Sequence, residues 1–208
     1  MVLTNDLDGP PVLPLWVNGH ALLTLTSGFV ETRDAISGKA LRRVPLCGAE
    51  EVAGAVAAAT DAAPLWAAQS PAARQAFLDA WAAELARYAA HFAALIVQET
   101  GKEEAAAEAE VAAAVADLQR AAFGNAGKPG QPLAIVWDAT QPLQAATALL
   151  APALLAGHTL ILKPAPQTSG VAYALVELSA RAELPAGVVN LVQGGEETGK
   201  ILQAQLQG

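Results

Sequence analysis

Few residues in this 208-residue chain combine the types and spacing that chemistry needs, and Lys163 is the best placed of them. The run from Leu150 to Val192 reads as helix, strand, Lys-Pro turn, second helix and second strand, the chain order of a nucleotide-binding α/β unit. In such a unit the ligand lies over the carboxyl ends of the strands. An ammonium just after the buried strand Thr159 to Leu162 would therefore project toward a ribose or phosphate. The same residue also reads as a Lys-Pro strand ending kept for packing, and the residues alone leave both readings open. Gly194-Gly195, following an apolar run at Val188 to Val192, would let backbone approach a nucleotide, although a glycine pair is a weak signal by itself.

The other candidates read as structure. Cys47 is the only thiol, so no internal disulfide can form, and it falls in a turn without a matched base to activate it. His20, His91 and His158 are far apart in sequence and none has metal-ligand spacing, so no metal is expected. Glu99 and the cluster Glu103, Glu104, Glu108 and Glu110 offer carboxylates for acid–base work. Their spacing fits better a solvated helix start matched to the positive end of the helix dipole.

The elements that must hold these residues follow from periodicity. Residues 1–14, with Gly9, Pro10, Pro11 and Pro14, predict an extended arm. Leu15 to Val17 and Ala21 to Leu25 flank Asn18-Gly19, the dipeptide of a tight hairpin, and Leu41 to Leu46 predicts a short strand. Helices are predicted at Glu50 to Thr60 with Pro64 beyond the end, at Ser70-Pro71 through Gly101 with a bend near Tyr88 to His91, and at Glu103 to Ala122. The loop Asn125 to Gly130 separates an N-terminal lobe, 15–130, from a partial Rossmann-type unit, 131–208, and the two are expected to fold as one structural domain. In the second lobe strands at Leu133 to Trp137, Thr159 to Leu162 and Val188 to Val192 alternate with helices at Gln144 to Leu155 and Val171 to Ala182. The fold class is α/β, with parallel strands and crossover helices.

Composition narrows the partners. Twenty acidic against twelve basic residues give a net charge of −8, with no Lys/Arg cluster, so nucleic acid and anionic membranes are poor partners. The apolar stretch Gln144 to Leu162 is interrupted by Pro152, Gly157 and His158 before it reaches bilayer-spanning length. The N-terminus lacks the pattern of a secretory signal, and a cytoplasmic protein is expected.

From Leu15 onward the chain resembles the N-terminal half of the aldehyde dehydrogenase superfamily. LWVNGH is similar to that family's "FINGEW", the helices ending in ETGK match, and APALLAGHTLILKPAPQTS followed by LPAGVVNLVQGG is the strongest block. The resemblance implies NAD or NADP as cofactor. It also exposes departures. The family's Pro-Trp-Asn, whose amide holds an oxyanion, is Asp138-Ala139-Thr140 when read without gaps; a shifted alignment sets Trp137-Asp138 against Trp-Asn, and either way the amide is lost. The family's Lys-Pro-x-Glu turn, whose carboxylate bonds the adenosine ribose, ends in Pro166. A Gly near the adenine corresponds to Glu196. The pyrophosphate loop, general-base Glu and nucleophilic Cys lie beyond the point matching Gly208, so no catalytic residue is assigned. Cofactor-binding candidates are Lys163, Gly194 and Gly195, with binding expected to be weak or absent. The resemblance is closest to incomplete, non-catalytic domains of this family, which pack against a catalytic one. The alternative is the N-terminal portion of an NAD(P)-dependent enzyme whose catalytic half is on another chain. Three parallel strands alone would leave a sheet edge bare, which predicts a homo-oligomer or a catalytic aldehyde dehydrogenase partner.

Overall fold

Asn18 and Gly19 take φ values of 52° and 79°, the left-handed pair that a two-residue hairpin turn demands, and they join β1 (Leu15–Val17) to β2 (His20–Leu22). The structure, a computed structural model, describes residues 9–26, 28–122 and 129–207. Most of the expected N-terminal arm and residues 125–128 of the expected inter-lobe loop lie outside them. Strand β2 ends at Leu22 rather than Leu25, and beyond it the Thr24 hydroxyl donates to Glu51 Oε1 at 2.7 Å. Strands β3 (Phe29–Arg33) and β4 (Ala40–Pro45) form a separate antiparallel pair.

Helix α1 (Ala49–Ala68) runs past its predicted end, through Pro64. A proline inside a helix frees the carbonyl four residues earlier. Both Pro64 and Thr60 are exposed, so water can satisfy that carbonyl, while buried Trp66 anchors the last turn by donating its indole N–H to Leu154 O at 3.1 Å. Helix α2 (Pro71–Arg87) starts as predicted, with Ser70 Oγ accepting from Ala73 N at 3.1 Å. The expected bend is a full break at Tyr88, after which α3 (Ala89–Thr100) runs to Gly101, whose φ of 73° ends it. Helix α4 (Glu104–Gln119) completes this layer.

The second half alternates β5 (Pro132–Val136), α5 (Gln144–Leu155), β6 (Thr159–Lys163), a 3-10 turn (Pro166–Thr168), α6 (Ser169–Arg181), β7 (Val189–Leu191) and α7 (Glu196–Gln207). The sequence reading did not assign α7. Its apolar residues Ile201, Leu202 and Leu206 pack beside Val52, Ala55 and Ala59 of α1. Strands β5, β6 and β7 are parallel, and the sheet order is β2-β1-β7-β6-β5. The N-terminal hairpin thus covers the β7 edge, through Trp16 opposite Leu191. Among the described residues the unpaired edges are those of β2 and β5, not that of β7.

Alternation along the buried central strand sorts the layers. Leu160 and Leu162 join the larger core of α2 to α6, while Ile161 joins the smaller core of α1 and α7. The larger core draws on Trp66, Leu78 and Trp81 from before the 125–130 loop and on Leu150, Leu154 and Leu175 from after it.

Candidate functional site

Lys163 closes β6 opposite Val136, at the carboxyl ends of the parallel strands. It is only 5% exposed, and among the described residues its ammonium has no hydrogen-bond or ion-pair partner. Burial pushes its pKa down from the ordinary lysine value. Its stem lies along α7, where a Cβ at Gly199 would sit 3.9 Å from Lys163 Cδ.

The two glycines have different reasons. Gly194 has a φ of 143°, and a methyl there would overlap the Thr198 hydroxyl, which donates to Cys47 O at 2.8 Å. That glycine serves packing at the start of α7. At Gly195 a Cβ would meet only Leu46 Cδ2, at 3.9 Å, so this position is open.

Around them stand groups of the wrong kind for a dinucleotide. Pro166 opens the 3-10 turn after β6 and has no side-chain acceptor for a ribose hydroxyl. Glu196, at the first turn of α7, is largely exposed and pairs with Lys200 at 3.0 Å, which holds its carboxyl below the usual range. After β5, Asp138 accepts a hydrogen bond from Thr140 N at 2.8 Å, and the Thr140 contacts keep it ionised to lower pH than usual. Neither Thr140 nor Asp138 offers a side-chain amide to an oxyanion. Lys163 and Gly195 suit a dinucleotide, but the set as a whole does not fit it.

The carboxylates read as a solvated helix start are different in the structure. Glu99 on α3 is buried and caps α6, accepting from Val171 N at 3.1 Å while Arg42 of β4 donates to it at 2.6 Å. The Thr168 and Ser169 hydroxyls, beside the same helix start, turn back to Ala165 O. Gly170 has no side chain because a methyl there would overlap Glu99 Oε1. Burial outweighs these partners and pushes the Glu99 carboxyl up to about 7. Glu110 on α4 does the same for α5, accepting from Leu143 N at 2.9 Å and Gln144 N at 3.3 Å, and it pairs with Lys102. Each carboxylate is committed to one helix terminus, which is structural work rather than proton transfer. Glu103, Glu104 and Glu108 do remain exposed. No periodicity in the sequence marks Glu99 and Glu110 as buried.

Cys47 is buried, donates its backbone N–H to Gln193 O at 3.3 Å, and has its thiol pushed up to about 11 by burial. It is expected to resist a disulfide exchange reagent at pH 8 in the native chain and to react at once in denaturant. Fast native labelling would overturn that inert assignment. Among the described residues no group of three His, Cys, Asp or Glu side chains could hold a metal ion, and no helix is long and apolar enough to cross a membrane.

Parallel strands joined by crossover helices define an α/β protein of the Rossmann type. Residues 24–133 and 135–206 match the model of the aldehyde dehydrogenase family, and the chain belongs to that family. It is 36% identical to N-succinylglutamate 5-semialdehyde dehydrogenase of Klebsiella pneumoniae, a match covering 93% of this chain and 43% of that protein. Among solved structures it resembles the NADP-dependent glyceraldehyde-3-phosphate dehydrogenase of Bacillus halodurans complexed with NADP, at 27% identity and a TM-score of 0.80, covering 93% of this chain and 45% of that one. It also resembles lactaldehyde dehydrogenase of Escherichia coli, with 27% identity, a TM-score of 0.84 and the same coverage. The chain thus spans less than half the length of these relatives.

Proposed function

We propose that this chain is a catalytically silent aldehyde dehydrogenase-family module that acts in the cytoplasm by packing against protein, either a second copy or a catalytic relative. One observation carries the reading. Beyond the strand ends stand Pro166, which has no acceptor for a ribose hydroxyl, Glu196, an anion where the family has glycine, and Thr140, which has no amide for an oxyanion. The only thiol is buried and protonated, so it offers no thiolate to attack an aldehyde.

Calorimetric titration with NAD and with NADP is expected to give no heat at millimolar cofactor. The chain is also expected to oxidise no aldehyde above background. A dissociation constant in the micromolar range, or turnover by the chain alone, would overturn the reading. A second reading is favoured by Lys163, a buried residue whose ammonium has no partner among the described residues: residual nucleotide affinity, as in the N-terminal portion of an NAD(P)-dependent enzyme completed by another chain. Under it, heat would appear with the wild type and vanish in Lys163→Met.

A further inference from the structure

We propose that the free edge of β2, together with Leu23 and Leu25, docks antiparallel on the same edge of a second copy of this chain. Among the described residues β2 pairs with β1 on one side and has no strand on the other, and His20, Ala21 and Leu22 are all exposed. The apolar surface continues past the strand: Leu22 is 48% exposed, Leu23 70% and Leu25 fully. This segment is pinned, because Thr24 is tied to Glu51 at the start of α1, leaving the leucines on either side of it in solvent. An unpaired strand edge carrying large apolar side chains is a template for strand addition.

Charge selects the occupant. No Asp, Glu, Lys or Arg occurs from Gly9 to Val30, in a chain whose net charge is −8. The carboxylate that reaches this segment, Glu51, is engaged by the Thr24 hydroxyl and by Gly48 N. A strongly charged partner finds nothing complementary here, whereas a second acidic copy meets least repulsion at this edge. Antiparallel pairing of identical strands is self-complementary about a two-fold axis, so the contact closes as a dimer and leaves no growing end. The β5 edge differs: it opens with Pro132, which has no N–H to offer, and runs on toward Asp138.

The test is sedimentation equilibrium of the 208-residue chain over a wide concentration range. The mass is expected to rise from 21.2 kDa toward twice that value. The exposed double variant Leu23→Lys/Leu25→Lys is expected to weaken the dimer by at least about tenfold with unchanged far-UV dichroism, because it removes four buried leucines and sets like charges together. Val136→Lys, on the other edge, is expected to leave the dimer intact. With Cys47 buried, a nitroxide on His20→Cys is the single label, and two copies paired at β2 should give an interlabel distance below roughly 20 Å. A monomer at every concentration, a dimer indifferent to the two lysines, or a longer interlabel distance would each overturn the proposal.

Discussion

Replacing Glu99 by alanine is expected to destabilise the chain by about 3–5 kcal/mol, the cost of removing one member of a buried ion pair. The loss has three parts. The Arg42 guanidinium, mostly buried, is left without its carboxylate; Val171 N–H at the start of α6 is left without an acceptor; and a void opens beside Gly170. Typical domains hold only about 5–15 kcal/mol in all, so the urea midpoint should fall steeply. Glu99→Gln keeps the shape and one acceptor oxygen and should lose less. A further signature separates charge from packing. The folded carboxyl titrates near 7, above its ordinary value, so the folded state holds a proton that the unfolded state releases. Stability from this group is therefore full below the unfolded value near 4.5 and is lost as pH rises toward about 7. That slope should be present in the wild type and absent in Glu99→Gln. An alanine variant within about 1 kcal/mol of wild type would show that the pair contributes nothing net.

Trp81→Ala is expected to cost a similar amount, about 3–5 kcal/mol, for a different reason. The side chain is fully buried on α2, and its indole N–H donates to Leu175 O of α6 at 3.0 Å. The substitution thus removes a large apolar volume and a bond linking the first lobe to the second. Arg74 works alongside it, donating from Nε to Leu155 O at 2.8 Å and from Nη1 to Gln69 O at 2.7 Å. If the two lobes cohere through these side chains, unfolding of the variant remains one transition at a lower midpoint. Two separate transitions in the wild type would mean that they fold independently.

What could be read in the sequence was local. Gln144 to Leu155 is a helix with the bounds its apolar pattern predicts, and the predicted strand Thr159 to Leu162 is buried and extends one residue further, to Lys163, because short apolar runs between turn signals have few alternatives. Asn18-Gly19 announced its hairpin. Pro64 misled, since the rule that proline stops a helix assumes a carbonyl with no water to take it, and this one faces solvent. Helix α7 was missed because its apolar residues are few and gain meaning only against α1. The candidate site was half legible: Lys163 stands at the strand ends where expected, while Gly194 proved to make room for Thr198. Burial of Glu99 and Glu110 could not be read at all, because an acidic residue beside a helix start looks the same in sequence whether water or another helix's N–H groups surround it.

The docking of the N-terminal hairpin on β7 also sets the order of events in synthesis. Asn18 N donates to the Asn190 side chain at 3.0 Å across 172 residues of chain. Strand β1 therefore has one side bare until β7 has been synthesised. Over that interval Leu15 and Trp16, both buried in the folded chain, wait without their native cover, which makes this stretch of the nascent chain a place for a chaperone's shelter.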